Sequence, residues 1–516
     1  MHPPVRSIHY VLAVAVALSA GAWPARSFAD VITDWNDYAV RATKGFNGTT
    51  GSGVTPLDSN LSSRVEAIAA RAVFDAVNAI QHVSPRNYYY GAAHTGSPDA
   101  AAAQAAHDVL AAQLPDPALD ATVDARWAQT RAWLDRALAE SLAALGASPS
   151  DDGIAAGKAA AAAANLARKL DGAAPVTTYG AQLGPATNPG IGLWRQSNAA
   201  AGGIDPTTGA PTGFDAAGVI QSRPAVDLNW RDVTPFSLSN AQKSFLVASV
   251  PLSPAVGSRE YVREVAYLRS HGGNAATSSE RTADQTAQAL FYKQDAEIYL
   301  NEAARIASQA RHLSLADNAR LFALLASVLA DARIAAFASK YDQKFWRPIT
   351  ALNADDSGAV TNDYAAWRPL AATPSHPSNT SGHSATGSAG FEVLRAFFGD
   401  RILPDGAAVT LTTLPWLVGT NPGTGSVTTR TVSTFTQAQL EDGASRLYLG
   451  VHFGFDNLQG QLLGLAVADE IIRSSDPAVP PHLHVVNSPA SLFQIERTLR
   501  SQPQLYGYFG EATERH

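Results

Sequence analysis

A chain of 516 residues can bury a large core, and length alone suggests two or three domain-sized units. A formal charge of −7 is a poor match for nucleic acid, whose phosphates need a basic surface, so any anion site has to be made locally by a few converging Lys and Arg side chains. There is no Cys, which excludes disulfides, thiolate metal sites and cysteine nucleophiles, and the one Met is Met1.

Residues 1–29 read as a secretory leader. Arg6 gives the positive end, Val11 to Trp23 is apolar and small, and Ser27-Phe-Ala29 offers a small-x-small cleavage site before Asp30. An anchoring N-terminal helix is the alternative, although the stretch falls short of the roughly 20 apolar residues that span a bilayer, and no later run reaches that length uninterrupted. The expectation is an exported protein, periplasmic or extracellular, with no stable membrane span. Cleavage removes Arg6 and Arg26 and no acid, which takes the balance from −7 to −9. It also leaves a chain without Cys or Met, the two side chains that strong oxidants attack first. That suits a protein that makes an oxidant, and it equally suits a chance of Ala-rich composition.

The elements that follow are helical. Ser63-Arg-Val-Glu66 is a capping-box signal before apolar residues at Val65, Ile68, Ala72, Val73, Val77 and Ile80. Helices are predicted at Ala100–Leu114, Ala121–Leu145 (with Gly146 beyond its end) and Ile154–Leu170, making an N-terminal bundle over 30–171. Residues 172–235 turn to Gly, Pro, Thr and Asn with little period and read as an irregular connection. A C-terminal helical domain over 236–490 follows, and 491–516 is left as a tail. Its helices are predicted at Ala241–Val250, Ser258–Leu268, Ser279–Arg311, Ser314 to about Ala338, Gly382–Phe398, Thr436–Gly450 and Leu458–Ser474. Val409–Thr413 and Ser426–Thr434 suit a small hairpin. The fold class is therefore all-α, and no repeat indicates a solenoid.

Three segments carry the chemistry. Lys340 and Arg347 are seven apart, two turns on one face of a helix that Pro348 helps to end, and they can set an ammonium and a guanidinium against one oxyanion. Ser381-Gly382-His383 precedes a helix-compatible run, which puts a hydroxyl and the Gly382 amide at a helix N-terminus with His383 beside the same anion. Arg446, His452 and Asp456 complete the set. His452 and Asp456 are one helical turn apart, so the carboxylate can hold one imidazole nitrogen and leave the other as ligand or nucleophile. Taken singly, these segments also suit a solvated helix face, a loop turn and a surface His/Asp pair.

In order and spacing the segments read K-x6-R-P, S-G-H and S-R-x3-G-x-H-x3-D, which resembles the signature shared by vanadium-dependent haloperoxidases and type 2 phosphatidic acid phosphatases. Asp34-Trp-Asn36, Arg71 to Asn78, Arg281 to Gln285 and Phe345-Trp-Arg-Pro-Ile-Thr350 extend the likeness to bacterial haloperoxidases over most of 30–490. The resemblance implies two packed helical bundles with the oxyanion site in the C-terminal one. It implies vanadate held by Lys340, Arg347, Ser381, the Gly382 amide and Arg446, with His452 as the ligand to vanadium. His383 would be the acid–base group for hydrogen peroxide, and Lys340 would polarise bound peroxide for oxygen transfer to a halide.

In a phosphatase of the same superfamily phosphate replaces vanadate, His452 attacks phosphorus oriented by Asp456, and His383 protonates the leaving alcohol of a phosphate ester. A silent phosphate- or vanadate-binding protein is the non-enzyme alternative. His376-Pro-Ser-Asn-Thr-Ser-Gly-His383 resembles the algal bromoperoxidase stretch and puts His376 near the expected halide position, though it also suits a loop histidine. Thr380 replaces the usual proline, Asn379 an aromatic residue, and Gly454 stands where relatives often carry a longer side chain. His482-Leu-His484 beside prolines reads as a loop, and Asn47-Gly-Thr and Asn379-Thr-Ser fit the glycosylation pattern. Which halide, which organic acceptor and which oligomeric state are not legible in the sequence.

Overall fold

The structure is a computed structural model that describes residues 30–174, 191–194, 203–204, 211–212, 225–275, 277, 280–353, 367–417, 428–474, 476–480 and 483. The leader at 1–29, the tail at 491–516, most of the 172–235 connection and both histidines of the 482–484 pair lie outside the described residues.

Five helices form the first half: α1 (Val31–Thr43), α2 (Ser59–Gln81), α3 (Pro98–Gln113), α4 (Trp127–Ala144) and α5 (Asp152–Ala167). Asp30 caps α1, accepting from Ile32 and Thr33 amides at 2.9 and 3.0 Å. The expected capping box at Ser63–Glu66 is not the start of α2. Asp58 caps that helix five residues earlier, and both box residues are buried inside it, where Ser63 Oγ donates to Glu297 and Glu66 accepts from Thr43 Oγ1 at 3.1 Å. A side chain with a tertiary partner is not available as a cap. The predicted 121–145 helix begins later, at Trp127. Between α3 and α5 the alanines permit close packing, and at Gly157 a Cβ would stand 2.5 Å from Ala101 O.

The second half holds α6 (Asn240–Ala248), α7 (Arg259–His271), α8 (Ala283–Phe291), α9 (Ala296–Ala310), α10 (Leu315–Gln343), α11 (Pro348–Asn353), α12 (Gly382–Phe398), α13 (Phe435–Tyr448) and α14 (Gly454–Arg473). The single helix expected over 279–311 is two, broken at 292–295. Two antiparallel pairs accompany the helices: β1 (Gly203–Ile204) with β2 (Pro211–Thr212), and β3 (Val409–Thr412) with β4 (Thr429–Val432), the latter in the register Val409↔Val432. The architecture is all-α.

Helix α10 is the axis of the molecule. Ser314 caps it, its side chain accepting from the Asp317 amide at 3.1 Å. Its 29 residues run about 44 Å, at 1.5 Å each, with α2, α12 and α14 packed against it. By length and composition it could cross a membrane, but its apolar window is wholly buried in protein, as a core helix requires. One hydrophobic core runs from α1–α5 through α10 into α12–α14.

Candidate active site

Lys340 lies in the last turn of α10 and is fully buried, its Nζ donating to the Pro377 and Ser378 carbonyls at 3.0 Å each. Arg347 does not share its helix. Lys344, in the left-handed region at φ 52°, ends α10, and Phe345 and Trp346 drop into an aromatic cluster with Tyr261 and Phe453. Pro348 then opens α11 instead of closing α10, since the first helical position suits a residue with fixed φ and no N–H. The reversal brings the guanidinium back to the site. Its Nε donates to His376 O at 2.8 Å, Nη2 to His376 Nδ1 at 2.9 Å, and Nη1 to Val451 O at 2.7 Å and His452 Nε2 at 3.1 Å. His376 Nδ1 also lies 3.2 Å from the Pro377 carbonyl, so it faces a donor and an acceptor together.

Ser381 caps α12, accepting from the Ser384 amide at 3.2 Å and from Ser384 Oγ at 2.8 Å. The Gly382 amide makes no hydrogen bond among the described residues. A Cβ on Gly382 would stand 3.4 Å from Lys340 Cε, so the lysine runs past this helix N-terminus. The small residues after the motif let α12 lie on α14: a Cβ at Gly460 would stand 2.5 Å from Ser381 O, and one at Gly464 would overlap Ala385 O.

His452 and Asp456 meet, but not across a helical turn. Gly450, at φ +73°, turns the chain after α13, His452 follows in the loop, and α14 begins at Gly454. Asp456 Oδ2 accepts from the Phe453 amide and contacts His452 Nδ1, both at 3.1 Å, and it also accepts from Ser378 Oγ. The carboxylate draws the imidazole hydrogen to Nδ1 and leaves a lone pair on Nε2, to which Arg347 donates. Gly454 has a tertiary reason: Glu264 fills the space, a Cβ at 454 would meet its carboxylate at 2.6 Å, and Glu264 Oε2 takes the Gly454 amide at 2.6 Å.

Sequence reasoning missed Asp442, Tyr299, Lys293, Ser378 and Glu264. His383 Nε2 is 2.9 Å from Asp442 Oδ1, and Tyr299 donates to that oxygen at 2.7 Å. The break between α8 and α9 exposes the Tyr292 carbonyl to Arg446 Nη1 at 3.1 Å and puts Lys293 on the cavity wall. Asp295, a residue type favoured at helix starts, was the available signal for that break. Asn379 is fully buried, its amide nitrogen 2.7 Å from both Gln343 and Gln459 oxygens, so the folded chain does not offer it for glycosylation.

His376, Gly382, His383, Arg446, His452 and Lys293 line a cavity of about 400 Å³. Its electrostatics call for an anion. Burial, then Arg347, holds Lys340 well below the usual lysine range. Burial brings Arg347 down to about 9 and, with Arg446 beside it, Lys293 to about 8. Burial and the neighbouring cations likewise hold His452 and His376 neutral. Burial pushes Asp456 up to about 6, so the counter-charge is itself weakened. Arg446 Nε is buried with no partner among the described residues. Orphan donors, crowded cations and one histidine lone pair fit a tetrahedral oxyanion whose central atom accepts a nitrogen, as vanadate does. Among the described residues no group of three or more His, Asp or Glu side chains suits a bare metal ion.

Residues 320–478 match the family model of the VCPO second helical-bundle domain. Vanadium chloroperoxidase of Curvularia inaequalis is 28% identical over 234 residues, covering 36% of this chain and 38% of that protein, so the match spans well under half of the relative's length. A crystal structure described as the first bacterial vanadium-dependent iodoperoxidase superposes with a TM-score of 0.60 at 19% identity, covering 87% of this chain and 97% of that one. An apo-type bacterial vanadium-dependent chloroperoxidase gives 0.57 at 16%, covering 82% and 95%. At such identities the likeness of structure is one of fold.

Proposed function

We propose that this chain, a member of the vanadium-dependent haloperoxidase family, binds vanadate at His452 and uses hydrogen peroxide to oxidise a halide to hypohalous acid. The observation that carries the reading is the cradle itself: Lys340, Arg347 and Arg446 are all buried with their charges acting on His452, Arg347 donates to its Nε2, and Arg446 Nε has no partner among the described residues. Lys340, Arg347, Arg446, Ser381 and the Gly382 amide would hold the oxygens, as charge-assisted donors do best in a buried site. When bound, vanadate supplies Lewis-acid chemistry without haem or a reductant. For His452 Nε2 to act as ligand, Arg347 Nη1, now 3.1 Å from that nitrogen, would have to release it and would be free to hold an oxygen of the bound group. Asp456 keeps the imidazole in the required tautomer, and His383 moves the protons of peroxide.

His376, on the cavity wall, is the candidate residue at a halide position. A mature chain without Cys or Met supports oxidant chemistry over ester hydrolysis. We further propose that the enzyme is exported. The test is a paired assay on purified protein, with and without vanadate, following peroxide-dependent bromination of a dye and hydrolysis of a chromogenic phosphate ester. Vanadate-activated bromination is expected. Ester hydrolysis that vanadate inhibits, with no bromination, would make His452 a phosphate nucleophile and overturn the reading.

A further inference from the structure

Helix α12 carries glycine at 387, one turn beyond His383. A Cβ there would overlap Asp442 Oδ2 and stand 3.6 Å from the Tyr299 hydroxyl. The missing side chain lets the Asp442 carboxylate, fully buried on α13, lie against α12 and reach the histidine ring. Asp442 Oδ1 is 2.9 Å from His383 Nε2 and takes the Tyr299 hydroxyl at 2.7 Å, while the tyrosine oxygen is 3.2 Å from the same Nε2. Tyrosine has one hydrogen, and it is spent on Asp442, so toward the ring its oxygen only accepts. A carboxylate also only accepts. Both neighbours are satisfied together only when the ring hydrogen is on Nε2. Nδ1 then bears the lone pair, has no partner among the described residues, and belongs to a ring on the cavity wall. A purely structural pair would be expected to satisfy both carboxylate oxygens, yet Asp442 Oδ2 has no partner among the described residues.

We propose that Asp442, with Tyr299 bonded to the same oxygen, is a positioning residue that fixes His383 as its Nε2–H tautomer, so that Nδ1 is the atom exchanging protons with whatever the cradle binds. The proposal rests on the preceding reading only for the identity of that species, since the tautomer is a property of the protein alone.

The test combines nitrogen-15 spectroscopy of histidine-labelled full-length protein, assigned with His383→Gln, with steady-state kinetics. The wild type is expected to show a protonated Nε2 and an unprotonated Nδ1 at His383. In Asp442→Asn the amide can turn its NH2 toward Nε2 and move the ring hydrogen to Nδ1. kcat should then fall about 100-fold or more, with KM and vanadate affinity held within about threefold, as when an orienting carboxylate is lost. Gly387→Ala displaces the carboxylate without changing any titratable group, and should shift the His383 signals the same way with a smaller loss of kcat. It also serves if Asp442→Asn fails to fold. A wild-type spectrum with hydrogen on Nδ1, or variants with unchanged spectrum and kcat, would overturn the assignment. Absence of turnover on either substrate class, with the expected spectra, would overturn the haloperoxidase reading and leave the tautomer assignment standing.

Discussion

Replacing Arg446 by leucine should separate folding from anion binding. The guanidinium is buried, with one side-chain bond from Nη1 to Tyr292 O and no partner for Nε among the described residues. Keeping an ion so poorly compensated costs several kcal/mol even after relaxation. Leucine removes that cost but leaves the Tyr292 carbonyl short of a donor, roughly 1–3 kcal/mol, and takes a neighbouring positive charge from Asp442. The two sides nearly cancel, so stability without oxyanion should stay within about 2 kcal/mol of wild type. Binding should not be spared. A bond from a charged donor is worth about 1.5–3 kcal/mol, so each one lost to the oxyanion weakens binding about 10- to 150-fold. Urea unfolding in phosphate-free buffer measures the first quantity and vanadate titration by calorimetry the second. A variant that loses more than about 4 kcal/mol, or binds vanadate as the wild type does, would refute the argument.

Other outcomes follow from neighbouring contacts. Burial pushes Glu264 up to about 7 from 4.5, so between those values the folded state holds the proton more tightly than the unfolded one. The associated stability is full below pH 4.5 and is lost as pH rises through 7, at most about 3 kcal/mol; Glu264→Gln should flatten this slope in urea midpoints taken from pH 4.5 to 8, and an unchanged slope would count against it. Gly460→Ala drives a methyl toward Ser381 O, 2.5 Å away, and should cost about 1–3 kcal/mol and weaken vanadate binding. Gly464→Ala, a turn further on, should cost similar stability with little change in affinity, as thermal shift with and without vanadate would show. Expression with export should yield a mature N-terminus at Asp30 by mass spectrometry; an intact leader on the exported protein would overturn that cleavage.

How much the sequence revealed depended on the range of the forces involved. Ser381 and Ser314 were readable as caps because a cap and the amide it satisfies lie within three residues. Ser63 and Glu66 have the same local pattern and failed as a cap, since Glu297 and Thr43 claim them from distant helices. The spacing of Lys340 and Arg347 pointed to one site for a reason that does not hold: a left-handed residue at 344, not two helical turns, brings them together. Asp442 and Tyr299 are 143 positions apart, and no pattern in either neighbourhood announces their meeting. The glycines at 387, 460 and 464 were the nearest thing to a clue, each marking where another backbone or carboxylate approaches.

Helix α10 bears on how this protein can be divided. The segment matching the second-bundle family begins at residue 320, inside that helix and beyond its Ser314 cap. A fragment cut there would start with a frayed turn and bare the flank that α2 covers, with Phe322 and Ala326, which line one cavity with Ala69 and Val73, among its residues. Although the signature residues lie between 340 and 456, excising them as a minimal catalyst should yield aggregate, not enzyme. If the chain is exported as proposed, it would have to cross its membrane unfolded or cross it whole.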